Sequence, residues 1–208
     1  MKTTTLVLTL VVSLLLSSIA LADSPLTTTE FSKAYLNEPI LVKASKSKGI
    51  LSNELMFYLT DESNPVDVKM ALINKLGWNA KGKNNTSIFL KYLIQKQKYK
   101  NEEDFFDNGK GDDLLCFSYI KAMDDYNDVI DAIRYSGYAL SKNPKSYTYQ
   151  IISALIYAQK VIYSDRCQVY KLTDEVRKNN NLIKDMKGEA ISIIFEYMDL
   201  YKHNCPSL

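Results

Sequence analysis

Glycine and proline are scarce in this chain, at 7 and 5 of 208 residues. All-β sandwiches and barrels use many such residues in turns, so the scarcity argues for helices. The single histidine, His203, leaves triad and histidine-rich metal chemistry short of parts. There is no G-x-S-x-G elbow, no H-E-x-x-H, no C-x-x-C, no G-x-x-x-x-G-K and no G-x-G-x-x-G. These absences speak against the familiar catalytic and nucleotide-binding classes, and no cofactor or metal site is expected. Neither charge sign dominates: 26 basic and 24 acidic residues are interspersed, for a formal +2. A nucleic-acid binder would need a clustered basic face, so nucleic acid is not an expected partner.

Only one long apolar run exists, and it lies at the start. Lys2 is followed by an almost wholly apolar stretch from Leu6 to Leu16, then Ala20-Leu21-Ala22. This is the pattern of a cleavable secretory signal peptide over 1–22, with cleavage before Asp23. The run is short for a ~30 Å hydrocarbon core, and Asp23, Ser24 and Pro25 follow at once, so a retained anchor is disfavoured. The expected product is exported, periplasmic in a bacterium and otherwise secreted or luminal, with no membrane span in the mature chain.

The segment 23–48 has no sustained period and reads as poorly structured. From 49 to 208 the chain reads as one all-helical domain. Apolar stripes mark helices near Leu51–Leu59, Val66–Leu76 and Ile88–Lys98. Others fall at Leu114–Met123, Asp128–Leu140, Arg166–Asn179 and Lys187–His203. The strongest stripe is Tyr147, Ile151, Ala154, Leu155, Ala158 and Ile162. A second apolar line, Ile152 and Ile156, makes that helix central. Asp107–Asp113 reads as a solvated acidic loop. It fails the calcium-loop test, because Phe106 and Leu115 would fall at ligand positions 3 and 12.

Asn64-Pro65 and Asn143-Pro144 each read as a helix start, with Asn as N-cap and Pro at the first helical position. They are roughly 80 residues apart, about twice the period of paired-helix repeats. Their flanks match poorly, which favours coincidence. The expected fold is therefore all-α: a multi-helix bundle, or a short array of helical hairpins of the HEAT or tetratricopeptide solenoid kind.

Of the three cysteines, Cys116 sits between Leu115 and Phe117 and reads as a small buried hydrophobe. Cys167 and Cys205 flank helix ends and are expected to pair in an oxidising compartment. Overlapping sequons begin at Asn84 and Asn85 and matter only in a glycosylating pathway.

Tyrosine is abundant, at 15, and more than half lie from Tyr135 onward. Tyr147, Tyr157 and Tyr197 fall on or beside buried stripes and read as core. Tyr138, Tyr149, Tyr163 and Tyr170 fall off them and form the expected partner-facing patch. The functional expectation is an exported, non-catalytic helical protein that binds another macromolecule, such as a periplasmic inhibitor or immunity protein. The alternative is a carrier of a small apolar ligand between helices.

Overall fold

The computed structural model describes residues 24–78, 83–96 and 98–206. The expected signal peptide lies outside the described residues. Among the described residues ten α-helices follow one another: α1 (Pro39–Lys46), α2 (Asn53–Thr60), α3 (Val66–Leu76), α4 (Asn85–Gln95), α5 (Glu102–Asn108), α6 (Gly111–Asp124), α7 (Ile130–Lys142), α8 (Tyr147–Val161), α9 (Arg166–Lys178) and α10 (Gly188–Met198). Short 3₁₀ helices occupy Phe31–Tyr35 and Asp199–Asn204. No strand is present among the described residues; one isolated bridge joins Ser146 and Ile183. No helix among them is long and apolar enough to cross a membrane.

The chain is packed around α6. Leu114, Leu115, Cys116, Tyr119, Ile120 and Ala122 are all buried, so α6 is apolar on every side. It touches α2, α3, α4, α7 and α8. The best stripe in the sequence belongs to α8, yet α6 is the more enclosed. Its opening residues Gly111, Asp112 and Asp113 disguise it, and the expected acidic loop 107–113 is instead helical at both ends. Only Gly109 and Lys110 separate α5 from α6. A Cβ on Gly109 would lie 2.3 Å from the Phe105 carbonyl oxygen, so this tight reversal needs glycine. The carboxylates of Asp112 and Asp113 face the positive end of the α6 dipole.

The segment 23–48 is not poorly structured over its described part. Leu26, Phe31 and Tyr35 are wholly buried, and α1 lies against α3. The anchors are polar, which hydrophobic periodicity does not register. Asn74 on α3 accepts from the Ser32 amide at 3.0 Å and donates to the Thr29 carbonyl at 2.9 Å and the Tyr119 hydroxyl at 3.0 Å. Tyr35 donates to Asp67 at 2.8 Å and accepts from the Lys187 amide at 3.2 Å, joining this segment to α3 and to the start of α10. Burial and the Asp67 carboxylate push the Tyr35 hydroxyl far above its ordinary range.

Neither Asn-Pro pair is built as expected. Pro65 is itself the N-cap of α3, while the Asn64 side chain donates back to the Tyr58 carbonyl. Asn143 caps the end of α7, and the N-cap of α8 is Ser146, whose hydroxyl accepts from the Tyr149 amide. The two pairs do different jobs, so they mark no shared repeat unit. At the second sequon, Asn85 is buried. Its side chain accepts from the Leu51 amide and donates to the Gly49 carbonyl, which leaves Asn84 as the exposed one.

Cys167 and Cys205 stand at disulfide distance, with Cα atoms 4.7 Å apart. Cys116 is free and buried, and burial pushes its thiol well above the ordinary range.

Candidate functional site

Three consecutive helices, α7, α8 and α9, form a layer. The outer two pack on α8 and hardly on each other. A hollow of about 410 Å³ runs along the outer side of α8 between them. Its lining repeats one spacing on all three helices. On α7 it is Ile133, Ser136, Gly137 and Leu140. On α8 it is Gln150, Ser153, Ala154 and Tyr157, and on α9 Leu172, Glu175 and Val176, followed by the helix cap Asn179 and by Leu182 beyond it. The α7 and α8 sets fall at i, i+3, i+4 and i+7, one stripe over two helical turns, and the α9 set at i, i+3 and i+4. The hollow is open rather than enclosed, since Gly137, Tyr157, Glu175 and Asn179 are all exposed.

Two residues in it lack a structural explanation. Gly137 lies mid-helix, has no positive φ, and a Cβ there would meet nothing within 4 Å. Glycine in a helix interior costs roughly 0.5–1 kcal/mol relative to alanine, and nothing in the fold offsets that cost. Ser153 is only 8% exposed, and its hydroxyl oxygen has no hydrogen-bond partner among the described residues. Buried hydroxyls are nearly always paired, so an unpaired one against an open hollow is a notable feature. Glu175 is the hollow's one charged lining residue, and it makes no ion pair with any described residue.

The tyrosines reorganise the expected patch. Tyr138 and Tyr163 are exposed, at 44% and 75%. Tyr149 and Tyr170 are core residues, at 1% and 4%, which corrects their placement on the surface. Tyr149 can be buried because its hydroxyl donates to Asp112 at the head of α6. Tyr170 stacks towards the Arg177 guanidinium, 5.9 Å from its ring. None of the four lines the hollow. The tyrosine that does is Tyr157, 41% exposed, which the stripes assign to the core. Helix α8 is apolar nearly all round, so its sequence does not reveal which apolar line faces outward.

A second polar cluster lies at the head of α6. Asp112 takes the Lys69 ammonium at 2.6 Å and the Tyr149 hydroxyl. Asp113 takes Lys98 at 3.2 Å and the Tyr99 hydroxyl at 2.8 Å. The Lys69 side chain is almost wholly buried, so its pairing with Asp112 is obligatory. Burial holds the Asp113 carboxyl above the usual range, although Lys98 and Tyr99 pull the other way. A cleft beside Asp112 is lined by Glu62, Lys110 and Lys142, with Glu62 and Lys110 paired to each other. Each carboxylate already has its lysine, so the cluster serves as structural wiring.

His203 is exposed, with Nε2 3.3 Å from the Asn204 side-chain nitrogen. Among the described residues no group of three His, Cys, Asp or Glu side chains could hold a metal ion. No known protein family, curated protein or solved structure matches the chain.

Proposed function

We propose that the chain is an exported, non-catalytic binding protein, and that the α7–α8–α9 hollow grips a polypeptide segment of a protein partner. The observation that carries this reading is the pairing of Gly137 with Ser153. One is a helix glycine that its own fold does not need, and the other a serine whose buried hydroxyl has no mate; both residues line the same open hollow. An approaching chain would use the space above Gly137, and a turn of the Ser153 side chain would bring its hydroxyl to that chain. A secreted inhibitor or immunity protein that occludes a toxin or hydrolase is the concrete form proposed. The second reading, a carrier of a small apolar ligand, is favoured by volume alone, since about 410 Å³ lies within the small-molecule range.

Export is tested at the N-terminus. Protein recovered from outside the cytoplasm is expected to begin at Asp23; an intact Met1 there contradicts the leader. Binding is tested by photo-crosslinking in the cells that make the protein. A benzoyl-phenylalanine replaces Tyr157 in one variant and Tyr163 in another. The expected result is a discrete protein adduct from position 157 and none from position 163. Equal adducts, or none from 157, would overturn the reading.

A further inference from the structure

We infer that the segment gripped by the hollow is a single amphipathic α-helix, laid along α8 and carrying a basic residue that meets Glu175. This rests on the binding reading above and names its occupant.

Ile133/Ser136/Gly137/Leu140, Gln150/Ser153/Ala154/Tyr157 and the shorter Leu172/Glu175/Val176 are three seams around one open line. Seams at i, i+3, i+4 and i+7 are how helices present themselves to another helix in bundles and coiled coils. The first two span two turns each, or roughly 11 Å of axis. The floor is small: Gly137, Ser153 and Ala154 let a guest backbone come close, while Ile133, Leu140, Leu172 and Val176 form apolar walls. Helices pack at axial distances of 8–10 Å, with the short end requiring small side chains at the contact.

Backbone chemistry separates a helix from an extended peptide. A strand bound here would need partners for its amides and carbonyls. The lining offers it only scattered side-chain groups, such as Gln150, Tyr157 and Asn179, and no sheet edge, because no strand is present among the described residues. A helix satisfies its own backbone and asks only for apolar contact. A turn of the Ser153 side chain would then let its hydroxyl meet one polar guest side chain, such as asparagine or serine. Glu175, exposed and unpaired at the wall, selects the charge: a lysine or arginine on the guest lies opposite it, and an acid is repelled.

The test uses a phage-displayed library of 18-residue helices, randomised along one i, i+3, i+4, i+7 seam and its two flanking positions. Selection is against the full chain purified without reductant. The expected enrichment is Leu, Ile, Val or Met on the seam, and Lys or Arg at one flank. The affinity of the selected helix should fall at least about 30-fold on Gly137→Trp and about 10-fold on Glu175→Lys, and stay level on Tyr163→Ala. Gly137→Trp is expected to keep its melting temperature, because its Cβ enters open space; Ser153→Ala is the milder companion, expected to cost a few-fold. Enrichment of acids, or affinity indifferent to both Gly137→Trp and Glu175→Lys, would overturn the helix. So would tighter occupation of the same site by dodecanoate, the small-ligand probe. A protein adduct at position 157 that the selected helix does not compete away would overturn the helix while leaving partner binding intact.

Discussion

Serine in place of Cys205 should lower the unfolding free energy by about 4 kcal/mol, with the same loss from Cys167→Ser and no further loss from the pair. The two cysteines are 38 residues apart in sequence, and the chain-entropy gain from closing such a loop sets that magnitude. The bridge fastens the 3₁₀ helix Asp199–Asn204 to the head of α9. At the other end of α9, the Arg177 guanidinium reaches both Asp174 and Asp199 and lies 4.2 Å from the Phe195 ring centre. That clamp should keep the serine variant folded at 25 °C while its melting temperature drops by roughly 10 °C. Thiol counting gives an independent check. The native protein should show almost no reactive thiol, and unfolding without reductant should reveal one, Cys116. Three thiols after unfolding would contradict the pairing.

Asn74→Leu should cost nearly as much, about 4 kcal/mol. Leucine leaves the Ser32 amide, the Thr29 carbonyl and the Tyr119 hydroxyl buried without their partner, at roughly 1–3 kcal/mol each. The loss should also be local at first. Amides around 28–35 should exchange with solvent far faster than those of α6, because the segment is held to α3 by that one side chain and by Tyr35–Asp67. Urea unfolding gives the total and hydrogen exchange gives the place. A loss under 1 kcal/mol with unchanged exchange would mean that apolar contacts of Leu26 and Phe31 suffice.

These two sites differ in how visible they are in sequence. The Cys167–Cys205 pair follows from helix ends and compartment chemistry, and the structure has it at disulfide distance. The helices over Val66–Leu76, Tyr147–Val161 and Arg166–Lys178 follow from apolar spacing almost residue for residue. Gly77 closes the first of them with φ +68°. Asn74 is invisible to the same reasoning, because a buried amide inside a stripe looks like a surface residue until its partners from 45 residues away are in place. The acidic start of α6 misleads for a related reason: Asp112 and Asp113 look solvated, but lysines and tyrosines from three other regions meet them. Tyr149 passes for a surface tyrosine because its partner, Asp112, belongs to what reads as a loop. The hollow was beyond sequence reasoning as a whole. Its three seams lie on three helices and become one feature only when α7 and α9 settle on either side of α8. The one trace was Gly137, a glycine inside a helical stripe with no turn to serve.

The most direct test of the binding account is therefore a substitution at that glycine. Once the partner crosslinked at position 157 is identified, its affinity should be compared between the native chain and Gly137→Trp. The indole would project into the hollow, where a Cβ meets nothing within 4 Å, and removal of the helix glycine should leave the fold at least as stable. The account predicts an affinity loss of about 100-fold or more, with a melting temperature equal to or above that of the native chain. Undiminished affinity in a folded Gly137→Trp protein would contradict it.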